Sequence, residues 1–290
     1  MSWDFELVAG PFDFTEGPAW DGEAVLFTDI PNNHIMRYDP SSGECTEFRT
    51  GTNEANGLMF DKAGHLYACE GGSRGRRMVR YNADGTTDVL ADSFEGKRLN
   101  SPNDLAFDAE GRIWFTDPRY GEKFDDMELG HESVFRLDPQ PDGGWAINRV
   151  TYDTTKPNGL LISPGQKTLY VAQSHYGENK RELRGYPIND DGTVGEYEVL
   201  HNFFPHRGID GMCLDTEGNI VATAGWQQSG PGPMIYVFAP NGRVLETHPI
   251  PSDQPTNCTF GDADLQTLYV TAGGCLYRTR TERKGSLIYP

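Results

Sequence analysis

Asn103-Asp-Leu-Ala-Phe-Asp-Ala-Glu-Gly-Arg-Ile-Trp-Phe-Thr-Asp117 reads as a strand, a polar turn ending in glycine, and a second strand. The same wording returns along the chain. Asp210-Gly-Met-Cys-Leu-Asp-Thr-Glu-Gly-Asn-Ile-Val-Ala-Thr-Ala224 repeats it, and so does Asn56-Gly-Leu-Met-Phe-Asp-Lys-Ala-Gly-His-Leu-Tyr-Ala-Cys-Glu70. Asn158-Gly-Leu-Leu-Ile-Ser163 with Leu169-Tyr-Val-Ala-Gln173 is a fourth copy, and Asn257-Cys-Thr-Phe-Gly-Asp262 with Leu268-Tyr-Val-Thr-Ala272 a fifth. Glu16-Gly-Pro-Ala-Trp20 with Val25-Leu-Phe-Thr-Asp29 is the sixth.

The copies start at 16, 56, 103, 158, 210 and 257, so successive starts lie 40, 47, 55, 52 and 47 residues apart. Repeats of this length, built from short strands and glycine turns, signal a β-propeller. Later strands of the units fit as well: Ile35–Tyr38, Met78–Tyr81, Val134–Leu137, Leu183–Tyr186 and Ile235–Phe238, followed by polar turns such as Asp84-Gly85, Asp191-Gly192 and Asn241-Gly242. The reading is all-β: a six-bladed propeller with four antiparallel strands per blade, one domain spanning residues 1–290. The last unit holds only three strands, at 257–260, 268–272 and 275–279. Its fourth is expected from Phe5-Glu-Leu-Val8 at the other end of the chain, which closes the ring and leaves no open edge.

Composition agrees and removes other classes. The chain has 290 residues with 34 glycines and 19 prolines, a turn-rich balance. No apolar run is long enough for a membrane helix. Met1-Ser-Trp-Asp-Phe-Glu6 lacks the basic and apolar regions of a signal peptide. With 25 basic against 43 acidic residues the net charge is −18, which argues against nucleic acid and anionic membranes as partners. Five cysteines, an odd number without a C-x-x-C, argue against a disulfide framework or a zinc ribbon and for free thiols in a reducing compartment. The expected setting is the cytoplasm, and the expected state a monomer or small homo-oligomer.

In a propeller the first strand of each blade lines the central channel, so residues heading those strands converge at one end of the axis. Here all six are polar: Glu16, Asn56, Asn103, Asn158, Asp210 and Asn257. Asn and Asp also start strands as turn caps. Six in register at an axis must be satisfied by something, either water or a bound cation. Oxygen donors without Cys or His form a hard-cation environment, suited to calcium more than zinc. The next position is glycine in four units (17, 57, 159 and 211), Asp104 in one and Cys258 in the last. A charged side chain in a slot otherwise held by small residues points to a role for Asp104 beside the ring. The second strand returns to the same end, so Asp29, Glu70, Asp117 to Tyr120, Ser174 to Tyr176 and Trp226 to Gln228 should surround the ring, with Tyr120, His175 and Trp226 as walls and Pro118 to Glu132 as a lid. The glycines of Glu70-Gly-Gly-Ser-Arg-Gly75 lack the strand–helix context of a phosphate loop.

Glu16-Gly-Pro18, Asn100-Ser-Pro-Asn-Asp104, Phe115-Thr-Asp-Pro-Arg-Tyr-Gly121, Pro157-Asn-Gly159 and Asp210-Gly-Met212 resemble, in order and spacing, the SMP-30/gluconolactonase/LRE-like family of regucalcin-type lactonases. The wording looks most like its bacterial gluconolactonases. The resemblance implies a six-bladed propeller with one catalytic divalent cation, calcium first and zinc, manganese or magnesium as alternatives. It implies Glu16, Asn158 and Asp210 as ligands, Asn103 as a further ligand or substrate contact, and Asp210 as acid/base. Animal members carry Arg where this chain has Ser101, and Glu where it has Gly121, so their sugar contacts do not transfer.

The reaction expected is hydrolysis of a sugar lactone, D-glucono-1,5-lactone or a similar aldonolactone, to the aldonic acid. A cation would polarise the carbonyl and a carboxylate, Asp210 or else Asp104, would take the proton. Asn103, Ser101, Arg119 and Tyr120 at the rim, with His175 and Trp226, would contact the sugar. Two alternatives stand beside it: a phosphotriesterase-like or other ester hydrolase on the same site, and a non-enzymatic calcium-binding interaction propeller.

Overall fold

Six four-stranded antiparallel sheets follow one another along the chain in this computed structural model, which describes residues 3–72, 74–120, 126–175 and 179–289. They are the six blades of a propeller. Their inner strands are Thr15–Trp20, Ala55–Phe60, Leu105–Phe107, Pro157–Ile162, Ile209–Leu214 and Pro255–Gly261. Each of the first five blades continues outward in sequence order; blade 5, for example, adds Ile220–Trp226, Ser229–Phe238 and Val244–Pro249. The sixth adds Thr267–Ala272 and Cys275–Arg280 and takes its outermost strand, Glu6–Ala9, from the N-terminal end. That strand lies one residue later than expected, with Glu6 opposite Arg278 and Leu7 opposite Tyr277.

The second strands show why the apolar runs are continuous. Val25–Asp29, Leu66–Glu70 and Ile113–Asp117 are buried at every position. Alternate residues point to opposite faces of a strand, and here both faces meet another blade. Leu26 packs with Leu58, Phe60 and Ala68 of blade 2, while Val25 and Phe27 pack with Tyr269 and Leu276 of blade 6. Likewise Trp114 faces blade 4, and Ile113 and Phe115 face blade 2. The core is therefore six clusters, one per blade interface. Outermost strands such as Cys45–Thr50 have lost the outer neighbour and are mostly exposed.

Past the last strand the chain turns across the far end of the channel, a course no repeat pattern announced. The Gly285 N–H donates to the Leu265 carbonyl (2.7 Å) and the Ser286 N–H to that of Leu214 (2.9 Å). The Tyr289 ring comes to 5.7 Å from that of Phe60. Residues 286–289 and the inner strands enclose a largely apolar cavity of about 120 Å³. All five cysteines are free thiols. Among the described residues no helix is long and apolar enough to cross a membrane.

The N-terminal end is latched on His248. The Trp3 ring stacks on the imidazole at 3.9 Å and 3°. The Trp3 N–H donates to Nδ1 (3.2 Å), so Nε2 carries the proton and donates to Glu246 (2.9 Å). Burial holds the His248 pKa below its usual value. A base whose folded pKa is depressed contributes stability that is full above the unfolded value of about 6.5 and is lost as pH falls below it. Between about pH 7.5 and about pH 5.5, wild type should therefore lose a few degrees more in Tm than His248→Gln. Parallel thermal melts of the two proteins would contradict the latch.

Candidate active site at the channel mouth

The polar ring is built by bulges. In five inner strands the pairing register slips at the ring: between Glu16 and Ala19, Ala55 and Leu58, Pro157 and Leu160, Ile209 and Met212, and Pro255 and Asn257. In blade 3 Asn103 and Asp104 stand just ahead of the strand, held by Asn103 N–H to Thr116 O (2.9 Å) and Thr116 N–H to Asp104 O (3.0 Å). A bulge re-aims a side chain and leaves backbone groups unpaired. Threonines on the second strands take those groups up. Thr223 Oγ1 accepts from Gly211 N–H (3.1 Å) and donates to Thr256 O (2.8 Å). Thr116 accepts from Asp104 N–H (3.1 Å), Thr271 from Asn257 N–H (3.2 Å), and Thr28 donates to Asn56 O (3.1 Å). Threonine recurs at this one position in four of the repeats, at 28, 116, 223 and 271, and that recurrence is the mark this layer leaves in the sequence.

The glycines after the ring residues sit where one inner strand meets the next. A Cβ on Gly17, whose φ is +51°, would lie 2.2 Å from the Asn56 carbonyl oxygen. One on Gly211 would lie 2.1 Å from the Asn257 side chain. Close approach, more than turn geometry, explains the register of small residues.

Three carboxylates meet in this setting. Glu16 and Asp104 are buried, and the Asp210 side chain is 13% exposed. The Asn257 amide favours the ionised form of both Glu16 and Asp104, and the Asn158 amide that of Asp210. Glu16 also accepts the Gly17 N–H (2.7 Å) and Asp104 the Leu105 N–H (2.9 Å). Burial, with repulsion from Asp210 and Asp104, pushes the Glu16 carboxyl well above the usual range. Burial pushes Asp104 up to about 7 and raises Asp210 against the opposing pull of Arg207. Among the described residues no three His, Cys, Asp or Glu side chains are grouped to hold an ion; the ring's donors mix carboxylate and amide oxygens.

Beside Asp210 lies a cavity of about 90 Å³ lined by Tyr120, Asn158, Ser174, Arg181 and Arg207. Asn158 Nδ2 donates to the Tyr120 hydroxyl oxygen (2.9 Å), and Ser174 Oγ donates to Ile209 O (2.9 Å). Asp210, Asn158 and Tyr120 are thus brought together. Arg207, which donates to the Asp210 carboxylate, was not foreseen; it precedes Asp210 by three residues in a loop without a repeat counterpart.

The other residues expected at the rim have these places in the fold. Ser101 Oγ donates to Gly71 O (2.7 Å). Arg119 forms a two-pronged pair with Asp126 (2.9 and 2.8 Å). Trp226 Nε1 donates to Ser229 Oγ (2.7 Å), and His175 ends the second strand of blade 4 half-buried, outside the cavity lining. Asn103 is buried, its carbonyl accepting the Gly57 N–H (2.8 Å). Asp29, Glu70 and Asp117 anchor loops: Asp117 accepts the N–H groups of Asn100 and Ser101 (both 2.8 Å), Asp29 accepts from Phe14 N–H (3.2 Å) and Glu70 from Arg77 (2.6 Å). Gly121, Tyr176 and the middle of the expected lid lie outside the described residues.

Fold and site together define a six-bladed propeller with carboxylates and amides heading its inner strands and a small cavity beside Asp210. The chain belongs to the SMP-30/gluconolactonase/LRE-like family, whose profile matches residues 14–274. A gluconolactonase of Zymomonas mobilis is 32% identical over 98% of this chain and 83% of its own length. A regucalcin of Xenopus laevis is 27% identical over 92% of this chain and 85% of its own. The solved structure of a gluconolactonase from Xanthomonas campestris superposes with a TM-score of 0.83 at 32% identity, covering 96% of this chain and 89% of that one.

Thr223→Val keeps the shape and removes the hydroxyl that serves Gly211 and Thr256. It should lower unfolding stability by about 1–3 kcal/mol in a urea titration, because buried backbone groups are left unpaired. A variant as stable as wild type would remove the threonine layer from the account of the ring.

Proposed function

We propose that this chain, working as one domain, hydrolyses a sugar lactone, D-glucono-1,5-lactone or a similar aldonolactone, to the aldonic acid. The observation that carries the reading is the meeting of Glu16, Asp104 and Asp210 at one channel mouth of a chain whose relatives include a gluconolactonase. The donor chemistry fits a hard divalent cation, calcium first: carboxylate and amide oxygens gather at one channel mouth with no thiol or imidazole among them, Glu16, Asn103 and Asn158 buried. Glu16, Asn158 and Asp210 would hold it, with Asn103 as a fourth donor or a substrate contact. When bound, the cation supplies polarisation of the lactone carbonyl and a water made more acidic.

The rest is work for the chain's own groups. Asp210 takes the proton of the attacking water and returns it to the ring oxygen as that oxygen leaves. Burial, which raises its proton affinity, suits it to that exchange. Arg207 fixes the carboxylate's orientation, and Asn158, bonded to Tyr120, favours its ionised form. The Tyr120 hydroxyl and Ser174 face the space in which the sugar hydroxyls would stand. Asp104, whose ionised form the Asn257 amide favours as it does that of Glu16, is the alternative base. Free thiols and the net charge of −18 support a cytoplasmic protein, a monomer or small homo-oligomer, with a small molecule and not a nucleic acid or membrane as partner.

Acid release from D-glucono-1,5-lactone at constant pH, above the spontaneous rate, tests this. Chelator-stripped protein should be inactive and recover on addition of calcium. Asp210→Asn should lower kcat about a thousandfold with an unchanged circular dichroism spectrum. Full activity in the variant would refute Asp210 as base. No activity with calcium demonstrably bound would move the substrate to another lactone or a phosphotriester.

A further inference from the structure

Arg207 is held in place by backbone that does not belong to the ring. Its Nη1 donates to the carbonyl of Gly225, on the second strand of blade 5, and to that of Pro255, where the inner strand of blade 6 begins, both at 3.0 Å. Nη2 is left to donate to the Asp210 carboxylate. The guanidinium is 11% exposed and its partner 13%, so water and salt screen the pair little. The position of the positive charge is thus fixed by two neutral carbonyls whether or not Asp210 is engaged. Arg181 faces the same cavity, with its Nη1 turned to the carbonyls of Pro205 and His206.

One fixed guanidinium at Asp210 offsets one of the negative charges that Glu16, Asp104 and Asp210 can present to a cation. We propose that Arg207 is a built-in counter-ion of the ring, weakening cation binding to a reversible range and disfavouring ions of higher charge. The inference rests on the metal reading above and adds a residue to it. Removing Arg207 takes one positive charge away from the ring, which becomes more attractive to every cation and most of all to a trivalent one, since the change in Coulomb energy scales with ion charge. A guanidinium that merely clamps blades 5 and 6 together predicts something else: lower stability and no gain in affinity.

The test uses the full chain, stripped with a chelator. Calcium is titrated calorimetrically, and terbium(III) by its luminescence with calcium as competitor. Arg207→Gln should bind calcium about tenfold or more tighter than wild type, and its preference for terbium over calcium should rise by a further factor of about ten. Arg207→Lys, which keeps the charge and loses the fork, should stay near wild type in that preference. Asp104→Asn, which removes one negative charge and leaves Arg207 untouched, should shift the preference the opposite way; it keeps the proposal testable if Arg207→Gln does not fold. Unchanged or weaker calcium binding in a folded Arg207→Gln protein overturns the counter-ion role alone. If wild type binds neither ion, the metal reading falls and this inference with it.

Discussion

Everything at this site depends on how closely six inner strands approach one another around the axis. Straight strands with ordinary side chains could not meet there. The chain solves this with a one-residue slip in the ladder, a small residue after it, and a threonine on the neighbouring strand to pair the backbone groups the slip releases. Each device requires the others. Without the slip the ring side chain would take the strand's alternation and face a neighbouring blade. Without glycine at 17 a Cβ would collide with the carbonyl of the next ring residue. Without the hydroxyl a buried N–H would go unpaired.

The same closeness creates the electrostatics. Three carboxyls taken out of water within reach of one another cannot all ionise cheaply, and proton affinity rises in each. The fold moderates this with neutral amides and one cation. The Asn257 amide favours ionised Glu16 and Asp104, the Asn158 amide favours ionised Asp210, and Arg207 is set against Asp210 from the gap between blades 5 and 6. What remains is an excess of negative charge in a desolvated place, which is an unstable arrangement for a purely structural core and a usable one for binding a cation or moving a proton.

The blades were legible because their signals are local. Strand pairs, glycine turns and a repeat of about fifty residues are all read from neighbours in sequence. The ring was legible for a related reason: six repeats superpose it, so a polar residue followed by a small one stands out in register. Side-chain partners were not legible. Arg119 stands in a motif next to Tyr120, and either could be taken for a substrate contact; in the fold Arg119 is held by Asp126 and Tyr120 reaches Asn158. Arg207 and the C-terminal crossing lie outside the repeats, so no comparison of copies could reveal them. Where function is carried by a departure from the repeat, the repeat is silent about it.

That crossing bears on the direction from which the site is reached. Residues 286–289 close the far end of the channel, and between them and the ring lies an apolar space that Asp104 and Asn257 also border. Burial is the leading cause of the raised proton affinity of Asp104. At the channel mouth the side facing blades 2 and 3 is consumed by loop anchors, with Ser101 bonded to Gly71 and Asp117 to the turn before it. The side facing blades 4 and 5 presents Tyr120, Asn158, Ser174 and Asp210 around open space. The space beside Asp210 is thus off-axis, bounded by side chains that the sixfold ring does not repeat.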